Sequence, residues 1–207
     1  MEGKSLKIGI CGGTFDPIHL GHLAIAELVR CELNLDKVLF IPSGMPPHKD
    51  INLITDPINR LNMVKCAVSE NPYFEASDIE VKRKGYTYTV DTLNELHKIY
   101  PPDTIFYYII GADVVMDLLT WKRSEEVFAL TKFVAVMRAG YLDKDFNNRI
   151  NVLRQKHSLD ITSIEAPLIE VSSTFIRERT SKNKSVKYLV SECVEEYIKK
   201  NKLYILR

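Results

Sequence analysis

Two histidines three residues apart, His19 and His22, follow a pair of glycines in the stretch GGTFDPIHLGH, residues 12–22. On a helix, residues three apart lie on one face. The start of a helix also offers unpaired backbone N–H groups and the positive end of the helix dipole, which favour phosphate. Imidazoles placed there can stabilise charge that develops on a phosphorus under attack. The glycine spacing matches neither the GxGxxG dinucleotide fingerprint nor the GxxxxGK[ST] P-loop.

A second stretch suited to phosphate is VSSTFIR, residues 171–177. Its hydroxyl groups would lie at the start of a helix, and the arginine guanidinium can form bidentate hydrogen bonds with phosphate. The same serines and threonine would also form an ordinary helix N-cap. Taken alone, this stretch leaves both interpretations open.

Alternating strand and helix patterns surround these two stretches. Short apolar runs predict strands, and runs with apolar residues on one helical face predict helices. This alternation predicts an α/β fold, a Rossmann-like doubly wound and mainly parallel sheet with helices on both faces. In such a sheet ligands bind at the carboxyl ends of the strands, where the glycine pair stands. The predicted strands are 6–11, 37–42, 74–83, 104–111, 132–137 and 160–166, and the predicted helices are 22–33, 56–69, 89–100, 124–130 and 145–157, with a helical pattern from 172 onward.

The composition is that of a soluble globular protein. Of 207 residues 45% are apolar and 27% charged, with a net charge of +1, so neither nucleic acid nor a membrane surface is expected as a partner. We expect one domain over residues 1–207, with 172–207 as a small C-terminal helical subregion. No signal peptide and no membrane span is expected. The four cysteines form no CxxC pair, which indicates buried free thiols in a reducing cytoplasm.

Both stretches resemble the signatures of one enzyme superfamily. Residues 13–22 read G-T-F-D-P-x-H-x-G-H and are similar to the signature of the HxGH nucleotidyltransferases, while VSSTFIR resembles their (I/V)SSTxxR element. The resemblance implies direct attack of an acceptor phosphate on the α-phosphorus of a nucleoside triphosphate. Pyrophosphate leaves without a covalent enzyme intermediate. His19, His22 and Arg177 would be the catalytic residues.

Four further segments narrow the resemblance to bacterial nicotinate-mononucleotide adenylyltransferases. They are IPSGMPPHK (41–49), GYTYTVDTL (85–93), GADVVMDLLTWK (111–122) and MRAG (137–140). These enzymes join ATP to nicotinate mononucleotide, with Mg²⁺ bound mainly through the ATP phosphates. The resemblance assigns no protein ligand to the metal.

The same resemblance assigns binding roles. Tyr88 and Thr89 would meet the nicotinate carboxylate, and Trp121 would stack on the pyridine ring. Where the family often carries Arg-Pro-Gly, this chain has Arg138-Ala139-Gly140. The residues expected to bind ATP are Gly12, Gly13, Thr14, Phe15, His19, His22, Lys49, Gly111, Asp113, Arg138, Ser173, Thr174, Phe175 and Arg177.

Other functions stay open. An adenylyltransferase for nicotinamide mononucleotide is the closest alternative, because one amide replaces one carboxylate. Adenylyltransferases for pantetheine phosphate share the two end motifs but are usually shorter and lack the GADxxxxLxxWK segment. Cytidylyltransferases for glycerol phosphate are also short. A nucleotide-sensing protein without catalysis is a rival of another class. A class I aminoacyl-tRNA synthetase is disfavoured by the short chain and the lack of a KMSKS-like motif. A homo-oligomer is possible.

Overall fold

The computed structural model describes residues 5–138, 144–167 and 170–205. Six strands form a sheet in the order β3-β2-β1-β4-β5-β6, and β4 pairs in parallel with β1 and β5, as β5 does with β6. This is the order of a doubly wound sheet, so the predicted fold class is confirmed. The strands are β1 (Lys7–Gly13), β2 (Lys37–Pro42), β3 (Phe74–Ala76), β4 (Ile105–Gly111), β5 (Lys132–Arg138) and β6 (Ile161–Ala166).

The helices follow the predicted alternation. They are α1 (Leu20–Leu33), α2 (Pro57–Val68), α3 (Thr89–Ile99), α4 (Ser124–Leu130), α5 (Lys144–His157), α6 (Ser173–Ser181) and α7 (Glu192–Lys200), with 3₁₀ helices at Ile51–Leu53 and Ala112–Thr120. Helix α2 begins as its sequence predicts, because Pro57 occupies the first turn and the Asp56 carboxylate accepts the Ile58 N–H. Among the helices described, none is long and apolar enough to cross a membrane.

The chain forms two compact units. The first unit takes the described residues within 1–11, 26–38 and 88–168, and the second those within 12–25, 39–87 and 169–207. Buried Phe106, Val134 and Leu93 belong to the core of the first, and buried Phe40 and Met63 to that of the second. The expectation of one domain over residues 1–207 stays a prediction.

Two expectations about local structure are wrong. The strand predicted over 74–83 ends at Ala76, because the charged residues that follow form turns instead: Lys82 N–H donates to Asp78 O and Arg83 N–H to Glu80 O. The helical pattern from 172 onward is interrupted between α6 and α7.

The expectation of four buried free thiols is also wrong. Cys66 on α2 and Cys193 on α7 are joined in a disulfide, with their Cα atoms 5.9 Å apart, and the Cys31 thiol is exposed. Only Cys11 is a buried free thiol among the described residues. Spacing along the chain could not show this pairing, because it depends on how two distant helices pack.

Candidate active site

The two histidines lie side by side at the start of α1. His19 comes just before the helix and His22 in its first turn, and their rings stack with centroids 3.6 Å apart. The backbone N–H of His19 donates to His22 Nδ1 at 3.2 Å. Because Nδ1 accepts, the proton of a neutral His22 ring is on Nε2, which leaves Nε2 as a hydrogen-bond donor.

Burial keeps both imidazoles uncharged near neutral pH. It lowers the pKa of His19 from 6.5 to about 4, and burial together with the neighbouring His19 lowers the pKa of His22 to about 3. His19 is 8% exposed, and its buried Nδ1 has no hydrogen-bond partner among the described residues. The pair therefore offers polar N–H groups without a permanent charge.

The Phe15 ring packs against the His22 ring. Phe15 is buried, and the two rings meet edge-on, with centroids 5.0 Å apart. Phe15 has a positive φ of 50°, and a Cβ on Gly13 would lie 3.2 Å from the Phe15 ring. The absence of a side chain at Gly13 thus leaves space for the Phe15 ring.

A cavity of about 400 Å³ and another of about 200 Å³ lie in the second unit, and the smaller one joins the two sequence motifs. Positive charge enters it from Lys49 and Arg177. Burial of its amine, followed by the nearby Arg177 guanidinium, lowers the pKa of Lys49. The smaller cavity is lined by Thr14, Phe15, Asp16, His22, Lys49, Ser173, Thr174 and Arg177. We call these eight residues the phosphate cavity.

Helix α6 is tied directly to the first motif. The side chain of Ser172 caps the helix by accepting the Phe175 N–H at 3.2 Å. Ser173 Oγ donates to Pro17 O at 2.8 Å, and Arg177 Nη1 donates to Asp16 O at 2.7 Å. The two motifs thus fold as one unit, as a shared phosphate site requires. Of the described residues predicted in these two motifs, four do not line the cavity: Gly12, Gly13, His19 and Phe175. Phe175 is 44% exposed.

Three residues of this region were not predicted. Asp16 is 4% exposed, and its carboxylate accepts the Tyr204 hydroxyl at 2.7 Å and the Thr55 N–H at 3.2 Å. Arg60 is 1% exposed and donates to the carbonyls of Thr14 and Ser43, at 2.7 and 2.6 Å. Asp16 stands inside the GTFDP motif, which could have pointed to it.

The sequence offers less for the other two residues. Arg60 lies on one helical face with Val64 and Val68. A charged residue among positions predicted to be buried is therefore the sign in the sequence that could have pointed to it. Tyr204 follows the last helix without any local pattern.

The residues expected to bind the acceptor belong to the first unit. Helix α3 begins at Thr89 as predicted, and Tyr88 takes the N-cap position in an extended conformation, without a side-chain capping hydrogen bond in the described structure. The Lys122 ammonium lies 3.8 Å from the centroid of the Tyr88 ring. Trp121 meets Tyr108 edge-on at 5.6 Å. We call Tyr88, Thr89, Trp121 and Lys122 the acceptor group; Lys122 was not singled out from the sequence.

The remaining predicted residues also belong to the first unit. Asp113 folds back over Gly111, so a Cβ there would lie 2.5 Å from Asp113 Oδ1. Arg138 ends β5, but its side chain, like Ala139 and Gly140, lies outside the described residues. Among the residues described, no group of three or more His, Cys, Asp or Glu could hold a metal ion.

Comparison with known proteins supports a common family. A cytidylyltransferase-like family matches residues 10–179. The "Probable nicotinate-nucleotide adenylyltransferase" of Thermoanaerobacter sp. strain X514 is 46% identical over 201 residues, covering 97% of this chain and 95% of that protein. The protein of the same name from Desulfitobacterium hafniense strain Y51 is 44% identical over 198 residues, covering 96% and 95%.

Solved structures agree on the fold. The Plasmodium falciparum nicotinic acid mononucleotide adenylyltransferase complexed with NaAD matches with a TM-score of 0.77 at 20% identity, covering 96% of this chain and 97% of that one. The same enzyme complexed with APC gives a TM-score of 0.75. The family match and the sequence identities together show that this chain belongs to the cytidylyltransferase-like family, among the nicotinate-nucleotide adenylyltransferases.

Proposed function

We propose that this chain transfers the adenylyl group of ATP to nicotinate mononucleotide, forming deamido-NAD and pyrophosphate. The phosphate cavity carries the proposal on the ATP side, because the HxGH and SSTxxR motifs line it together with Lys49. The named relatives carry it on the acceptor side.

The transfer needs no protein nucleophile. An oxygen of the acceptor phosphate forms a bond to the α-phosphorus, and the bond from that phosphorus to the bridging oxygen breaks as pyrophosphate leaves. Lys49 and Arg177 balance the charge of the triphosphate, and the Nε2–H of His22 donates to the crowded α-phosphoryl group. Such a donor accelerates the reaction when its hydrogen bond strengthens in the transition state.

Magnesium enters this scheme as part of the substrate, Mg·ATP. The ion keeps most of its ligands from water and phosphate oxygens. We therefore assign no protein ligand to the metal.

The acceptor group favours the acid over the amide. The start of α3 suits a carboxylate at Tyr88 and Thr89, because its N–H groups and dipole attract an anion. Lys122 adds a positive charge beside Tyr88. Trp121 offers an aromatic surface to the pyridine ring. We further propose that the protein is cytoplasmic. The Cys66–Cys193 disulfide is unusual for that location, because disulfides are uncommon in a reducing cytoplasm.

The decisive experiment is a parallel assay of pyrophosphate release from ATP with three acceptors. Nicotinate mononucleotide should give the highest kcat/KM, above nicotinamide mononucleotide and pantetheine phosphate. Faster turnover of the amide would refute the acceptor assignment. Binding of ATP without pyrophosphate release with any acceptor would instead favour a nucleotide sensor.

A further inference from the structure

The Asp16 carboxylate adds negative charge to a cavity that we propose binds phosphate groups. It lines the cavity beside Lys49 and Arg177, where a negative charge opposes the binding of a triphosphate. Burial and the Arg177 guanidinium lower the pKa of Lys49, whereas the Asp16 carboxylate raises it. A carboxylate free to turn toward these cations would compete with the substrate for them.

Two hydrogen-bond donors fix the orientation of this carboxylate. Tyr204 OH donates to Oδ1 at 2.7 Å, and Thr55 N–H donates to Oδ2 at 3.2 Å. The shorter bond comes from a residue 188 positions further along the chain, beyond α7. Burial, followed by the charge of Asp16, raises the pKa of Tyr204, so its hydroxyl keeps its proton at neutral pH.

The main chain of Asp16 has a separate part in the same site. Its carbonyl accepts Arg177 Nη1 at 2.7 Å, while Arg177 Nη2 donates to Thr174 Oγ1 at 3.2 Å. The direction of the Arg177 guanidinium therefore depends on where Asp16 lies. A shift of Asp16 would therefore change both the charge balance of the cavity and the position of this arginine.

We propose that Tyr204 is a positioning residue of the phosphate cavity, whose hydroxyl holds the Asp16 carboxylate back so that Lys49 and Arg177 stay available to the triphosphate. This inference rests on the proposed function in taking ATP as the occupant of the cavity. Tyr204 itself does not line the cavity and acts through Asp16.

The chain supplies a matched control for this hydroxyl. Tyr197 on α7 donates to Asn59 Oδ1 at 2.9 Å and accepts from Asn62 Nδ2 at 3.1 Å, both on α2. Tyr197→Phe thus removes the same atom, with two hydrogen bonds, and leaves the phosphate cavity untouched.

The test compares Tyr204→Phe, Tyr197→Phe and the unchanged protein. Calorimetric titration gives the Kd for ATP, steady-state assays give kcat and both KM values, and thermal unfolding gives Tm. For Tyr204→Phe we expect Kd and KM for ATP to rise about tenfold, the size of effect that follows when a charged group loses a hydrogen bond. The KM for nicotinate mononucleotide should change less than about twofold, and Tyr197→Phe should leave the ATP constants unchanged. Equal ATP constants in both variants, or parallel rises in both KM values, would overturn the proposal.

A double-mutant cycle tests whether the Asp16 carboxylate competes with the triphosphate for Lys49 and Arg177. Asp16→Asn removes the competing charge, so it should improve ATP binding more in the Tyr204→Phe protein than in the unchanged one. Equal effects in both backgrounds would refute the competition. Because calorimetry measures ATP binding without turnover, a protein that binds ATP but does not use nicotinate mononucleotide refutes the proposed function alone.

Discussion

The phosphate cavity and the acceptor group are built in contrasting ways. In the phosphate cavity three polar side chains are held by other segments: Asp16 by Thr55 and Tyr204, Ser173 by Pro17, and Arg177 by Asp16. The acceptor group consists of a helix start with aromatic contacts, such as that of Lys122 with Tyr88. This difference fits the roles that we propose, in which the phosphate cavity performs the chemistry and the acceptor group selects the substrate. Changes in the first should therefore lower kcat, and changes in the second should raise the KM for the acceptor.

The largest effect is expected for His22→Ala. It removes the Nε2–H donor, and loss of one preorganised donor lowers kcat by about 10²–10³-fold. The Kd for ATP, measured by calorimetry, should change far less, because the interaction strengthens in the transition state. His157→Ala is the control, since His157 pairs with Glu125 in the first unit. Equal losses in kcat and ATP affinity would contradict the role of His22.

Arg177→Lys should come next. Lysine keeps the charge but cannot reach both Asp16 O and Thr174 Oγ1, so kcat/KM for ATP should fall at least about tenfold. Arg179→Lys on the same helix is the control, because Arg179 Nε donates to Ser185 O and Arg179 is not part of the cavity. If both lysine variants behave alike, charge alone suffices at position 177.

Acid should lower the free energy of unfolding because both histidines are buried in their uncharged form. Folding lowers the pKa values of His19 and His22 from 6.5 to about 4 and about 3, so the unfolded chain binds protons more readily. The two histidines therefore make their full contribution to stability above about pH 6.5. That contribution is lost as the pH falls from 6.5 to about 4 for His19 and to about 3 for His22. Between pH 8 and pH 5 the free energy of unfolding should drop by about 2 kcal/mol per histidine.

Urea titration across this pH range measures the drop. The double variant His19→Asn with His22→Asn should show a flatter profile. An unchanged slope in that variant would mean that other groups cause the acid sensitivity.

The smallest effect is expected in the acceptor group. Trp121→Ala removes the aromatic surface, which should raise the KM for nicotinate mononucleotide about fivefold and leave the KM for ATP unchanged. Trp121→Phe should recover most of the loss. A fall in kcat with constant KM would remove the distinction between the two regions.

Residues close in sequence were the ones that could be predicted. The doubly wound sheet, the Asp56 cap and the start of α3 at Thr89 follow from local patterns, and all are observed. The meeting of HxGH and SSTxxR was expected from the resemblance, and the phosphate cavity contains residues of both.

The supporting contacts could not be predicted in the same way. Arg60 bonds to backbone carbonyls, which every residue carries, so its partners leave no mark on the sequence. Tyr204 reaches Asp16 from the far end of the chain. The Cys66–Cys193 pair likewise depends on tertiary packing between α2 and α7.

The Cys66–Cys193 disulfide gives the chain the topology of a loop with two tails. The bridged residues are 127 positions apart, so α3, α4, α5 and α6 all lie within the loop. A protease that cuts once inside it leaves the two fragments covalently attached. They run as one band on a denaturing gel and separate only after a reductant is added.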